Sequence, residues 1–234
     1  VGVGVWAGVR ATLGRRIDGQ PVERAPFTWW ITNRLFFLAA ITSLQSFAPF
    51  FFMFAFQIDR DAAVGMTGRL ITMVGIFTML TALPGGWISD RLGHHRIIAG
   101  SGIAAALGSF LLLITVWVPS LRLVYIIGAI LGLATGLFMS ANWALGTSLV
   151  PPNEAGRYMG ISNLAGAGAG IVGAGIGGPL ADSLNNLSPG LGYFILFLSY
   201  GILFLLSTLS LRGIPSPKTA QIMEDTPVVV LRET

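Results

Sequence analysis

The stretch Gly86-Trp87-Ile88-Ser89-Asp90-Arg91-Leu92-Gly93-His94-His95-Arg96 is a short polar segment between two long apolar runs. Glycine lets the backbone turn sharply, and an anion or a cation at a helix end interacts with the helix dipole. A carboxylate at the corner of a membrane protein is costly unless it has a partner. The segment therefore predicts a tight corner between two helices, built from Gly86, Asp90, Arg91, Gly93 and Arg96.

The composition indicates whether this chain is surrounded by water or by lipid. Of its 234 residues, 53% are hydrophobic and 10% are charged, with a mean hydropathy of +0.75. Soluble domains carry about 25% charged residues, so the chain is predicted to be a polytopic membrane protein in a lipid bilayer. It has no cysteine and only two histidines, so no metal site and no cofactor are expected. The net charge of +4 lies in loops beside apolar runs, which favours a membrane surface over nucleic acid.

Six apolar runs make up most of the chain. Each approaches or exceeds the roughly 20 residues that a helix needs to cross about 30 Å of hydrocarbon. The fold class is therefore predicted to be all-α, with a six-helix transmembrane domain over 29–211. The runs are 29–56, 64–86, 97–118, 121–149, 158–181 and 191–211.

The flanking segments are predicted from their charge and composition. Residues 1–9 read as the tail of a preceding membrane helix or as a boundary without structure, 10–28 as a cytoplasmic linker, and 212–234 as a disordered cytoplasmic tail. With that linker inside, eleven of the 14 Lys and Arg residues fall on one side of the membrane. The excess predicts a multi-pass protein of the cell membrane with both ends of the six-helix unit in the cytoplasm.

The segment 86–96 resembles the loop signature of the major facilitator superfamily of secondary transporters, which reads G-x-x-x-D-R-x-G-R/K-R/K. The resemblance implies that Asp90 helps to latch the cytoplasmic side in the outward-facing state and releases as the halves of the carrier rock. His94 and His95 depart from the basic pattern, which makes part of the positive charge pH-dependent. The alternative is an ordinary positive loop with a glycine turn.

A second segment, Val150–Arg157, is similar to the P-x-x-x-x-G-R pattern that opens the corresponding helix in many facilitator proteins. Glu154 falls in the first turn of the predicted helix, where an anion suits the helix dipole. Arg157 is placed to meet Asp90. Alternatively, Arg157 extends to the lipid phosphates as an anchor.

A repeated frame links two helix ends. The pattern GG-x-x-small-D-x-L occurs at 85–92 and again at 177–184, and counting helices puts the two copies on opposite membrane faces. Inverted repeats of three helices produce such a relation. The frame predicts a 3+3 inverted repeat, with Asp182 as the outer counterpart of Asp90. Chance in a glycine-rich chain is the alternative.

Polar side chains within the apolar runs are few. In the superfamily the first and fourth helices of each half line the central cavity, so the resemblance implies substrate contacts at Gln45, Asn142 and Trp143. Amides beside an aromatic ring suit a neutral polar solute such as a sugar, although such amides also form hydrogen bonds between helices. Arg34 is predicted to be an interfacial anchor.

The resemblance implies the C-terminal half of a twelve-helix carrier, whose partners are a small-molecule solute, the lipid bilayer and the N-terminal six-helix half. No Asp or Glu lies in the middle of a run, so coupling residues belong to the other half or transport is facilitated. No catalytic motif is present, so enzymatic activity is not expected. The alternatives are a multidrug efflux carrier and a six-helix structural or sensor protein.

Overall fold

The computed structural model describes residues 25–150, 156, 160–163 and 177–215, and these residues form an all-α bundle. Five helices in this part of the chain are long and apolar enough to cross a membrane. Shorter helical stretches cover 160–163 and 177–187, and a 3₁₀ turn covers Leu211–Gly213. The long helices are α1, Ala25–Phe56; α2, Arg60–Leu92; α3, His94–Trp117; α4, Leu121–Ser148; and α5, Leu191–Ser210.

The corner between α2 and α3 is tighter than the predicted loop. Helix α2 begins at Arg60, where the Asp59 carboxylate accepts a hydrogen bond from the backbone N–H of Ala62 at 2.7 Å. It then continues through the predicted loop to Leu92, and Gly93 alone, with φ +92°, separates it from α3. The predicted loop 182–190 is likewise helical up to residue 187. A single residue in the left-handed region suffices for the turn because glycine has no Cβ to clash.

Aromatic side chains fill the middle of the bundle. Phe37 of α1 stacks on Phe138 of α4 with ring centroids 3.6 Å apart, and Phe204 of α5 meets Phe37 edge-on at 5.0 Å. All three rings are fully buried. Rings in offset or edge-on contact add to the free energy of burial. The stack therefore joins α1, α4 and α5 into one core.

Helix α2 is attached to this core along one side only. Gly136 of α4 faces the carbonyl of Thr78 so closely that a Cβ at this position would overlap α2 backbone. The opposite face of α2 exposes large apolar side chains, among them Met79 and Leu83. Small residues let membrane helices approach closely, and apolar side chains suit a lipid or protein neighbour.

The two ends of the bundle are defined by contacts between different helices. At the corner end, Nε2 of His95 lies 3.2 Å from the carbonyl oxygen of Ile214, beyond the end of α5. At the other end, Trp117 of α3 packs on Phe194 of α5 with ring centroids 5.0 Å apart. The end that carries Gly93 is called the corner end below.

Candidate functional site

A buried polar cluster ties α1, α4 and α5 together toward the corner end. The side-chain N–H₂ of Asn142 donates to Oδ1 of Asn33 at 2.8 Å, and the side-chain N–H₂ of Asn33 donates to the carbonyl of Ser207 at 2.7 Å. The Ser207 hydroxyl returns a bond to the Asn33 carbonyl at 2.9 Å, and the Trp30 indole N–H donates to the Asn142 carbonyl at 2.9 Å. Asn33 and Asn142 have no exposed surface. The buried amides are therefore satisfied within the cluster.

Arg34 belongs to this cluster, and its prediction as an interfacial anchor is wrong. Its side chain is only 6% exposed, and Nη1 donates to Oδ1 of Asn142 at 3.1 Å. The guanidinium lies 4.5 Å from the ring centroid of Trp143 and 5.9 Å from that of Trp30. Arg34 stands nine residues into α1, about 13 Å along the axis, so the indoles and the amide surround a charge that cannot reach the helix end.

One nitrogen of Arg34 stays unsatisfied. Its Nε is buried and has no hydrogen-bond partner among the described residues. A buried donor without a partner destabilises a protein, and an ionisable group inside a membrane protein is by default a functional-site candidate. The neighbouring pair Asn33 and Arg34, inside an otherwise apolar run, was the sequence signal for this cluster.

The structure brings two of the three predicted substrate contacts together. Trp143 is half-buried and lies over Arg34, beside the fully buried Asn142. Gln45 is eleven residues beyond Arg34 on α1, about 16 Å along the axis. It lines a separate cavity of about 30 Å³ whose other walls are apolar, Leu131 among them. The Phe37 ring, stacked on α4, lies between the two positions.

Asp90, predicted to pair with an arginine or a helix N-terminus, has an exposed carboxylate at the corner. Its side chain is 70% exposed, so water solvates the carboxylate, and the nearest cation-forming group in the described part is Nε2 of His94 at 3.9 Å. Arg91 turns away and lies 4.0 Å from the ring centroid of Trp87. The exposed Arg96 forms no ion pair within the described residues. Glu154 and Arg157 lie outside those residues, so the Arg157 to Asp90 pair stays a prediction.

Asp182 lies near the end of the bundle opposite the corner. It is exposed and lines a cleft of about 260 Å³ together with Phe50 of α1 and Tyr193 of α5. Phe50 lies near the end of α1 and Tyr193 near the start of α5, and both of these helix ends are remote from Gly93. Asp90 and Asp182 therefore occupy opposite ends of the bundle.

The five membrane-length helices, the one-residue corner and the buried polar cluster are features of a multi-pass helical membrane protein. Residues 14–174 match the model of the Major Facilitator Superfamily, so the chain belongs to this family. Its members are transporters and not enzymes, which confirms the prediction that the chain is not an enzyme.

Two curated proteins are similar to parts of the chain. The minor myo-inositol transporter IolF of Bacillus subtilis is 30% identical over 112 residues, which are 48% of this chain and 25% of that protein. An MFS-type transporter of Aspergillus fumigatus is 25% identical over 147 residues, which are 62% of this chain and 33% of that protein. The chain thus spans about a quarter to a third of the curated relatives that it matches.

Proposed function

We propose that this chain forms one six-helix half, the C-terminal one, of a carrier that moves a neutral polar solute, of the sugar or polyol class, by alternating access. The observation that carries the substrate class is the 30% identity to a protein named as a myo-inositol transporter. The cluster at Asn142 and Trp143 is compatible with it, since amides and an indole ring suit hydroxyls and the apolar face of a cyclic polyol. A small solute and the other half of the carrier are the partners in this proposal.

Packing around the repeated frame supports a 3+3 inverted repeat. The first copy packs through Gly85 on Leu137 of α4, and the second packs through Gly177 on Phe47 of α1. In an inverted repeat of the six predicted runs, the second run is equivalent to the fifth, 158–181, and the first to the fourth. The contact of Gly85 with α4 therefore corresponds to the contact of Gly177 with α1. The residue before each acid, Ser89 or Ala181, is buried, while both acids are exposed.

The same symmetry supports a pair of gate corners. In the proposed orientation both ends of the six-helix unit are cytoplasmic, Asp90 marks the inner corner, and Asp182 marks its outer counterpart. The exposed carboxylate of Asp90 is free to exchange partners, with His94 at 3.9 Å as one of them. Arg157, with Glu154 at the start of its helix, is proposed as the cation that pairs with Asp90 when the inner side closes.

The substrate contacts are proposed at Asn142, Trp143 and Gln45. Because Asn142 already holds Asn33 and Arg34, a solute at this position would exchange hydrogen bonds with the cluster rather than meet a free amide. Trp143 retains exposed surface, so it is the side chain best placed to stack on a sugar ring. Gln45 would contact the solute only at another stage of the cycle, since it lies about 16 Å further along α1.

Transport by the complete protein tests this function. Purified full-length protein in liposomes should take up radiolabelled myo-inositol, and Trp143→Ala should raise KM by about tenfold, the effect of losing roughly 1.4 kcal/mol of binding. Trp117→Ala is the matched control because Trp117 is exposed near the opposite end of the bundle. A panel in which bulky aromatic drugs move and polyols do not would refute the substrate class and favour a multidrug carrier.

A further inference from the structure

The cleft that contains Asp182 has the size and composition of a ligand site. It encloses about 260 Å³ between α1, the 177–187 helix and α5. A water molecule takes about 30 Å³ of liquid volume, so the cleft accommodates an organic molecule rather than a single water. The residues that line it are Ser46, Phe47, Phe50, Gly178, Ala181, Asp182 and Tyr193.

Among the described residues that line the cleft, each polar side chain presents a hydrogen-bond acceptor. The Tyr193 hydroxyl donates its proton to the carbonyl of Phe50 at 3.0 Å, and the Ser46 hydroxyl donates its proton to the carbonyl of Thr42 at 2.8 Å. The Asp182 carboxylate accepts only. No cation pairs with it among the residues that the structure describes. A ligand of this cleft must therefore supply the donors and benefits from a positive charge.

The walls of the cleft are aromatic. Phe47 and Phe50 lie with ring centroids 6.3 Å apart, and Tyr193 packs on Phe54 at 5.0 Å. The faces of such rings are electronegative and attract cations within about 6 Å. Gly178 keeps the wall open, since a Cβ there would stand 3.9 Å from the Phe47 ring without a clash.

From this combination we propose that the cleft binds a small organic primary ammonium cation, with the ammonium on Asp182 and the apolar part against Phe47 and Phe50. A primary ammonium offers three donors and no acceptor, which complements a carboxylate and two hydroxyl oxygens whose protons are committed elsewhere. A polyol fits less well because its own oxygens would find no donor on the described side chains. The proposal does not rest on the transport function, since binding is measured without translocation.

Equilibrium binding of 2-phenylethylammonium to the full-length protein tests the proposal. In nanodiscs of phosphatidylglycerol, which carries no amine, the wild type should bind this probe, and the isosteric neutral 2-phenylethanol should bind at least tenfold more weakly. Asp182→Asn should weaken binding of the probe about 10- to 100-fold, the range for losing a hydrogen bond to a charged group. Asp182→Glu should retain most of the affinity because it keeps the charge.

Asp61→Asn is the matched control, because it removes an exposed carboxylate from the first turn of α2, outside the lining of the cleft, and should leave the affinity unchanged. Asp182 is itself exposed, so its variants are expected to fold, and their thermal unfolding is compared with that of the wild type. Equal affinity of wild type and Asp182→Asn for the probe would overturn the proposal, as would equal binding of 2-phenylethanol. Tighter binding of myo-inositol than of the probe, abolished by Asp182→Asn, would overturn it in favour of a polyol site.

Two sources supply a primary ammonium at a membrane surface, a free amine and the headgroup of phosphatidylethanolamine. Repeating the titration in nanodiscs that contain this lipid distinguishes them. A weakened apparent affinity of the wild type for the probe, absent when phosphatidylcholine replaces phosphatidylethanolamine at the same fraction, identifies the headgroup as an occupant. An unchanged affinity identifies the cleft as a site for soluble amines, and either result supports an ammonium site.

Discussion

Replacing Asn142 by alanine should destabilise the bundle more than truncating an α4 hydroxyl that bonds within its own helix, such as that of Thr135. The substitution removes the acceptor of the Arg34 guanidinium at 3.1 Å and the donor to Asn33 at 2.8 Å. A hydrogen bond to a charged group contributes about 1.5–3 kcal/mol and one between neutral side chains in a membrane about 0.6 kcal/mol. Together these terms predict a loss of about 2–4 kcal/mol in the free energy of unfolding, because the partners stay buried and unpaired.

The measurement is equilibrium unfolding of the full-length protein in mild detergent micelles with increasing sodium dodecyl sulfate, followed by circular dichroism. Thr135→Ala is the matched control on the same helix, since the Thr135 hydroxyl bonds only the carbonyl of Leu131, one turn back, at 2.7 Å. Its loss should stay below about 0.5 kcal/mol, as for substitutions away from a network. Asn142→Asp keeps an acceptor for Arg34 and should recover part of the loss.

A double-mutant cycle isolates the contact itself. Combining Asn142→Ala with Arg34→Met should give a coupling energy of about 1.5–3 kcal/mol, because the second change removes the charge that the first leaves without its acceptor. If Asn142→Ala unfolds at the same detergent fraction as Thr135→Ala, the reasoning is refuted. Additive effects of the two changes would locate the stabilisation in packing instead of in the hydrogen bond.

Three further predictions concern α4, the corner and Arg34. Gly136→Ala should destabilise the protein by about 1–3 kcal/mol, since the added Cβ overlaps α2 backbone, whereas Gly100→Ala, in open space, should be neutral or stabilising in the same unfolding assay. Asp90→Asn should leave membrane insertion intact, slow transport and change cysteine labelling on the corner side; unaltered labelling and normal transport would contradict a latch. Arg34→Lys should destabilise by about 1–2 kcal/mol, because the compact ammonium does not reproduce the contact of the guanidinium with the Trp143 ring, and wild-type stability would contradict that role.

The fold was more accessible from the sequence than the site was. Long apolar runs predict membrane-spanning helices directly. The bounds of α1, α3, α4 and α5 were therefore predicted to within about four residues at each end. The error at α2 has a physical reason: charged residues such as Asp90 and Arg91 can end a helix or occupy its last exposed turn, and composition does not distinguish the two. Only the backbone shows that Gly93 makes the turn alone.

The site was predicted only where the family pattern pointed. Asn142 and Trp143 were predicted as substrate contacts because they stand in the fourth apolar run, and that role stays a prediction. Their partners in the structure come from another helix. Arg34 was predicted to lie at the membrane interface because it stands near the start of an apolar run. Its burial depends on the neighbouring helices, which its position in the chain does not show. Gln45 looked equivalent to Asn142 as a lone amide, yet an aromatic stack separates the two.

Composition and local pattern were enough to predict that this chain lies in a membrane, that it is helical, and that Gly86 to Arg96 forms a facilitator-type corner. Those properties depend on transfer free energy and on local backbone preference, which neighbouring residues in the chain set. Only the packing of the helices shows that two indoles and an amide enclose Arg34, and that Asp182 faces a cleft whose described hydroxyls donate to backbone carbonyls. Such properties depend on which helices meet, and no single run of residues contains that information.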